Sequence, residues 1–262
     1  MSYYLSTIKD SPTGLWKLDE TSGTTAYDIS GCGNNGSYVG GIEISGMPIV
    51  SGGRHSNKID STKSIQFVIS KDFSGTTGTG GFATPSTYDN DFTLEAWIHP
   101  KTLTSLTPLF ADIDGIGLYW QNGNVVFKLE SERLDYSVPN PNRVLHIVGV
   151  YSVNSMSLYV DGYLVASKVI SISFTNPSIT LSSGPSTAGE HFLIDCPAVY
   201  RYALTADAIL SHYNNLFLNT DEQISVPDLG ELFRGAEKYQ DIETRYVYPV
   251  QVSWESLIYD NA

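Results

Sequence analysis

Basic residues are scarce in this chain. Only 15 of its 262 residues are Lys or Arg, against 28 Asp and Glu, which leaves a formal net charge of −13. Nucleic-acid binders displace counterions with Lys and Arg, so no nucleic-acid partner is expected. The same acidity repels anionic lipid. Apolar runs are short as well. None approaches the roughly 20 residues that span a bilayer, so no membrane insertion is expected. The opening MSYYLSTIKDSPTG has neither a basic nor an apolar stretch, and it reads as no signal peptide. Cysteine is limited to Cys32 and Cys196, whose separation gives neither a CxxC nor a zinc knuckle. Taken alone they read as buried thiols, since cysteine is among the most often buried residue types.

Catalytic signatures are missing too. Five histidines, His55, His99, His146, His191 and His212, are scattered without HExxH or any other ligand spacing. There is no GxSxG and no phosphate loop. Glycoside hydrolysis needs two carboxylates about 5 to 9.5 Å apart. On a strand these would show as Glu-x-Asp-x-x-Glu, with alternate acids on one face, and that pattern is absent. Glu130, Glu132 and Asp135 in KLESERLDY have the wrong spacing and read as a solvated edge. Asp112 and Asp114 in ADIDG fall on one face that could bind a second cation, but a charged loop is the commoner explanation. The chain is therefore expected not to be an enzyme.

What is present is strand pattern, almost everywhere. FTLEAWIHP alternates Phe92, Leu94, Ala96 and Ile98 on one face with Thr93, Glu95, Trp97 and His99 on the other. Asn122-Gly123 and Asp161-Gly162 each separate two strand-like runs and signal tight hairpins. Further strands are expected over residues 64–70, 143–152, 178–181 and 192–200. Antiparallel hairpins in series mean a sandwich or jelly roll. Within the first 217 residues only LTADAILSHYNN reads as a helix, with Thr205 as its cap. Residues 74–90 form a Gly, Ser and Thr-rich loop. From residue 218 to 262 the texture changes to a polar linker, a short amphipathic run around 229–239 and a strand-like run at 244–252. Its aromatics, Phe233 and Trp254 among them, argue against a disordered tail. Two units are expected: a sandwich at 1–217 and an arm at 218–262 that docks on the sandwich or on a neighbouring subunit.

Four motifs carry a family resemblance. GLWKLDETSGTTAYDISGCGNNGSYVGG, FTLEAWIHP, HIVGVYSVNSMSLYVDGYLVAS and FLIDCPAVYRYALTADAILSHYN occur in that order. Together they resemble laminin-G-like jelly-roll domains of the concanavalin A-like lectin/glucanase superfamily, over about residues 12 to 217. Cys196-Pro197 departs from the Glu-Val that the family's last strand usually carries. The resemblance implies an all-β fold, a two-sheet antiparallel jelly-roll sandwich with a short closing helix, here followed by the C-terminal arm.

The resemblance also implies a structural Ca2+ ion between Asp28 and Asp195. Calcium takes 6 to 8 oxygens, and glycines let a loop turn its carbonyls inward. Gly33, Asn34 and Gly36 are the candidate carbonyl donors. The alternative is an Asx-type turn in which Asp28 bonds the amides of Ser30 and Gly31. If both acids hold one ion, the sulfurs of Cys32 and Cys196 come close. Proximity, or a disulfide, is then expected, the bond requiring Cα atoms within about 7 Å.

Leaderless laminin-G-like domains with an unrelated C-terminal arm look like minor tail proteins of phages. The resemblance thus implies a non-enzymatic structural or adhesion component of a virion (the phage tail), assembled in the host cytoplasm. Its expected partners are other tail subunits through residues 218–262, further copies of itself, and host-surface carbohydrate. The alternative is a carbohydrate-binding module of an extracellular or cell-surface protein. For glycan stacking the candidate rings are Tyr88, Tyr119, Trp120 and Tyr136. Against that stands the ordinary reading of such residues as core or sheet-surface aromatics.

Overall fold

The structure, a computed structural model, describes residues 3–39, 43–46, 56–60, 64–69, 91–100, 103, 106–112, 115–171, 179–183 and 191–215. His55, Tyr88, Asp114, the loop 74–90 and the arm 218–262 lie outside the described residues.

Helix α1 (Tyr3–Lys9) opens the chain, followed by β1 (Gly14–Leu15), β2 (Thr25–Ala26), β3 (Gly36–Val39), β4 (Glu43–Gly46), β5 (Ser56–Asp60) and β6 (Ser64–Ile69). Then come β7 (Phe92–Pro100), β8 (Thr107–Asp112), β9 (Gly117–Gln121), β10 (Asn124–Leu129), β11 (Glu132–Ser137) and β12 (Leu145–Ser152). The series closes with β13 (Ser155–Val160), β14 (Tyr163–Val169), β15 (Ile179–Ser183), β16 (His191–Tyr200) and α2 (Ala206–Asn215). These strands build two antiparallel sheets. The first runs β14-β13-β12-β7-β16-β5-β4, with β1 also paired to β16, and the second runs β11-β10-β9-β8-β15-β6-β3-β2. This is the two-sheet sandwich that the hairpin pattern and the resemblance imply.

The expected alternation of β7 is present. Phe92, Leu94, Ala96 and Ile98 join Trp120, Phe127, Leu145, Ile147 and Leu158 in one buried cluster between the sheets. Gly149 lets the sheets approach there, because a Cβ on it would lie 2.6 Å from the Phe127 ring. Both expected hairpin turns have positive φ at their two central residues: 48° and 81° at Asn122-Gly123, 54° and 81° at Asp161-Gly162.

On β7, β12 and β16 the opposite face of the first sheet is also buried, which alternation alone does not explain. Two helices cover it. Over α2, Leu15, Val148, Val150, Ala198, Leu204 and Ile209 pack together, and under α1, Tyr3 and Tyr4 pack with Trp97 and Cys196. Thr205 caps α2 as expected, its Oγ1 accepting from the Ala208 amide at 3.2 Å. Helix α1 corrects the sequence reading, which gave one helix. Its seven residues have weak propensity and no acidic residue in the first turn, so tertiary packing of Tyr3 and Tyr4 stabilises it instead. Ser6 and Thr7 stay buried there by donating their hydroxyls back to the Tyr3 carbonyl, at 2.7 and 2.9 Å.

Candidate functional site

The Asp28 loop is a closed hydrogen-bond knot. Asp28 Oδ1 accepts from the amides of Leu15 and Ser30 at 3.0 and 2.8 Å. Asp28 Oδ2 accepts from the Ser30 hydroxyl and the Asn34 amide, both at 2.8 Å. A carboxylate has about four lone-pair sites, and all four have protein donors. The Asn34 carbonyl accepts from Trp16 Nε1 at 2.8 Å. Gly33 sits at φ 76°, as the turn requires, and Gly36 belongs to the β3 ladder opposite Ala26 and Phe67. The Ser30 amide bond is the Asx-type turn of the alternative reading.

Asp195 lies elsewhere on the sheet. It is fully buried opposite Trp97, and the Cys196 thiol donates to its Oδ1 at 3.0 Å. Trp16 runs between the two acids, bridged to Asp28 on one side and donating its amide to the Pro197 carbonyl on the other, at 3.1 Å. These residues, as arranged, do not fit a calcium ion shared by Asp28 and Asp195. The loop does join the two sheets, since Asp28 ties β1 to the turn leading into β3, but with N–H and O–H donors.

The cysteines are two free thiols, Cys32 exposed and Cys196 buried. The Cys32 thiol faces the Pro12 carbonyl at 4.0 Å, whereas the Cys196 thiol lies 3.4 Å from the Tyr4 hydroxyl. No disulfide joins them. Cys196 has φ 48° where the β16 register shifts between Asp195 and Ala198. That bulge is what lets Pro197 occupy a central strand. The departure from the family pattern is therefore a local kink in the ladder.

Of the candidate stacking rings, the three among the described residues, Tyr119, Trp120 and Tyr136, do not line an open surface. Trp120 is 2% exposed and belongs to the sandwich core, Tyr119 is 7% exposed in a satellite cluster with Ala111 and Val126, and Tyr136 packs on the core. As neighbours on β9, Tyr119 and Trp120 face opposite sides of the second sheet, Trp120 into the sandwich beside Val125 and Tyr119 outward beside Val126. Among the described residues, the tyrosines with large exposure are Tyr27, Tyr163 and Tyr202. Tyr202 already donates its hydroxyl to the Asp10 carbonyl. Several surface acids are paired: Asp135 with Arg133, Glu132 with Lys168 at 2.6 Å, Asp161 with Arg143 at 2.5 Å.

The densest chemistry lies under the helices, around Glu95. This carboxylate is fully buried on the lid face of β7. It accepts from the Tyr3 hydroxyl at 3.1 Å, His146 Nε2 at 2.7 Å, the Tyr200 hydroxyl at 3.0 Å and His212 Nδ1 at 3.0 Å. His212 Nε2 then meets Asp10 Oδ2 at 2.9 Å. Ionised carboxylates only accept hydrogen bonds. Both nitrogens of His212 therefore donate, and the ring is an imidazolium. Burial pulls His212 down, but Glu95 and Asp10 raise it to about 9. Burial pushes Glu95 up, yet the His212 charge and the hydrogen bonds from both histidines hold it well below the usual carboxylate range. Among the described residues, Trp97 Nε1 and His146 Nδ1 have no hydrogen-bond partner.

Glu95, His146 and His212 are wholly closed to solvent, so this assembly clasps the lid and reaches no substrate. Sequence reasoning missed it because its members are 51 and 117 residues from Glu95. The usable signals were a carboxylate on a strand face otherwise built of Thr93 and Trp97, and His212 on the buried stripe of α2 with Ile209.

The jelly roll and its lid define a lectin-type architecture. The chain belongs to the concanavalin A-like lectin/glucanases superfamily, whose laminin-G family model matches residues 73–210. None of the curated proteins matches it. Among solved structures it is similar to the binding domain of botulinum neurotoxin DC in complex with SialylT, at 14% identity and TM-score 0.61, covering 80% of this chain and 52% of that one. It is similar to the botulinum neurotoxin serotype D binding domain at 15% identity and TM-score 0.61, covering 83% and 53%. A third match is the structure reported under "cell entry of botulinum neurotoxin type C is dependent upon interaction with two ganglioside molecules", at 14% identity and TM-score 0.60, covering 80% and 52%. At these identities the likeness is one of fold. This chain spans about half the length of the solved structures it matches.

Proposed function

We propose that this chain is a non-enzymatic recognition and assembly module, a minor tail protein of a phage virion whose jelly roll contacts host-surface glycans. In this reading residues 218–262 dock on other tail subunits and the particle assembles in the host cytoplasm. The observation that carries the glycan half is the shared jelly roll with toxin binding domains. One of those is in complex with SialylT and another belongs to a toxin whose cell entry depends on two gangliosides. The absence of a catalytic role is supported by the acids themselves: Glu95 is sealed under the lid, and Glu132, Asp135 and Asp161 are held in ion pairs. The tail setting is supported by the resemblance of the four motifs followed by an unrelated arm. A carbohydrate-binding module of an extracellular or cell-surface protein is the second reading, and the same fold likeness favours it.

The test is a glycan array probed with the full chain, repeated with Tyr163→Ala and Tyr27→Ala. Binding to a defined glycan class that one of these variants abolishes, with unchanged melting temperature, supports recognition through an exposed ring. A silent array removes the glycan half. Deleting residues 218–262 should leave a folded sandwich that no longer incorporates into particles. Incorporation without the arm would remove the assembly half. A polysaccharide panel should yield no reducing sugar.

A further inference from the structure

Three separate elements meet at one ring. His212 on α2 contacts Glu95 of β7 through Nδ1 and Asp10, at the end of α1, through Nε2, at 3.0 and 2.9 Å. The ring is fully buried, and both of its partners are acceptors only. Removing one proton from it would leave a nitrogen lone pair facing a carboxylate oxygen, on whichever side the proton left. No rotation of the ring repairs this, because both sides present carboxylates. We propose that the two-helix lid is a proton-operated latch: protonated His212 fastens α1 and α2 to the first sheet, and its deprotonation releases both helices while the sandwich stays folded.

The surrounding groups favour this division. The face of the sheet under the lid carries Trp97, His146 and Tyr200, and the lid itself carries Tyr3 and Tyr213, so release uncovers a patch of stacked rings. The sandwich core lies on the opposite face of β7 and holds no titratable partner of His212. Other titratable groups face the ring from every side: Glu95 on β7, His146 on β12 through Glu95, Tyr200 on β16, Tyr3 on α1 and Asp10 beyond it. Tyr202 reaches Asp10 and Tyr213 shares α2. Burial raises the hydroxyls of Tyr3, Tyr200, Tyr202 and Tyr213, so they stay protonated while His212 titrates. The latch does not depend on the glycan or virion reading.

Hydrogen exchange followed by mass spectrometry on the full chain, from pH 6.5 to 10.5 and corrected for intrinsic exchange rates, tests it. Amides of α1 and α2 should lose protection at least tenfold above pH ~9.5, while those of β7 and β12 keep theirs. Asp10→Asn takes away one of the two charges that favour the imidazolium, so its opening midpoint should fall by about one pH unit or more. His212→Gln should hold the lid open already at pH 7. If that variant does not fold, Asp10→Asn still decides the matter. Loss of protection by lid and strands together, a lid still closed at pH 10.5, or an Asp10→Asn midpoint equal to that of the unmodified chain would each overturn the proposal.

Discussion

The two faces of β7 are equally buried and built on opposite principles. Toward the second sheet, Phe92, Leu94, Ala96 and Ile98 pack in one hydrophobic cluster, and removal of surface from water is enough to hold them. Toward the lid, Thr93, Glu95 and Trp97 are just as inaccessible, but Glu95 needs four donors from four other elements to remain there as a charge. The first face tolerates exchange of one apolar side chain for another of similar volume. The second specifies particular atoms, and Thr93 continues the theme by taking the Leu204 amide and donating to the Tyr202 carbonyl, both at 2.9 Å. Burial by itself says little about how a face will respond to mutation or pH.

The contrast can be broken from either side. Glu95→Ala should lose about 3 to 5 kcal/mol, because it leaves a buried imidazolium and two tyrosine hydroxyls without their acceptor. Trp120→Ala on the apolar side should lose a similar ~3 to 5 kcal/mol through its cavity. Urea denaturation at several pH values separates them. The Trp120 loss should be the same at pH 6 and pH 9, while Glu95→Ala should flatten the pH profile.

That profile is the next largest effect. His212 is raised from 6.5 to about 9, so its contribution is complete below pH 6.5 and disappears as pH rises through 9. At 1.36 kcal/mol per pKa unit this amounts to about 3 kcal/mol. Glu95 works in the other direction. Its lowered value gives stability that is present above its ordinary range near pH 4.5 and declines as pH falls below it. Maximal stability should therefore lie between pH ~4.5 and ~6.5, and a profile still rising at pH 9 would contradict the charge assignment.

Smaller effects sharpen the comparison at the loop. Asp28→Ala should cost about 1 to 3 kcal/mol by leaving its donors unmatched. The loss should be equal in calcium and in chelator, and the unmodified chain should melt at the same temperature in both. A chelator-dependent drop would restore the ion that the resemblance implies. Thr205→Ala should cost about 1 kcal/mol through the lost cap of α2.

How much of this was legible follows from range. The alternation of β7, the Asn122-Gly123 and Asp161-Gly162 turns and the Thr205 cap are all encoded within a few neighbouring residues, and each is where the sequence places it. Helix α1 was illegible because its reason for forming lies in Trp97 and Glu95, some 90 residues on. The Asp28 loop was half legible. Its turn geometry could be read from Gly31 and Gly33, but the donors that fill its lone pairs come from Leu15 as well as from the loop. Tyr119 and Trp120 misled because strand aromatics look alike whether they face a sugar or a core.

Strand β16 stands in the middle of the first sheet, between β7 on one side and both β5 and β1 on the other. Its residues 191–200 are therefore the keystone for strands made much earlier in the chain. During synthesis from the N-terminus, β1, β5 and β7 must wait unpaired along those edges until β16 has emerged. Glu95 waits longer still, until residue 212 supplies its counter-charge. Such non-local closure makes for slow folding and a period of exposed strand edges. The chain's acidity, which looked at first only like a reason to exclude certain partners, then has a second role: mutual repulsion keeps half-made copies apart while they wait for their last strand.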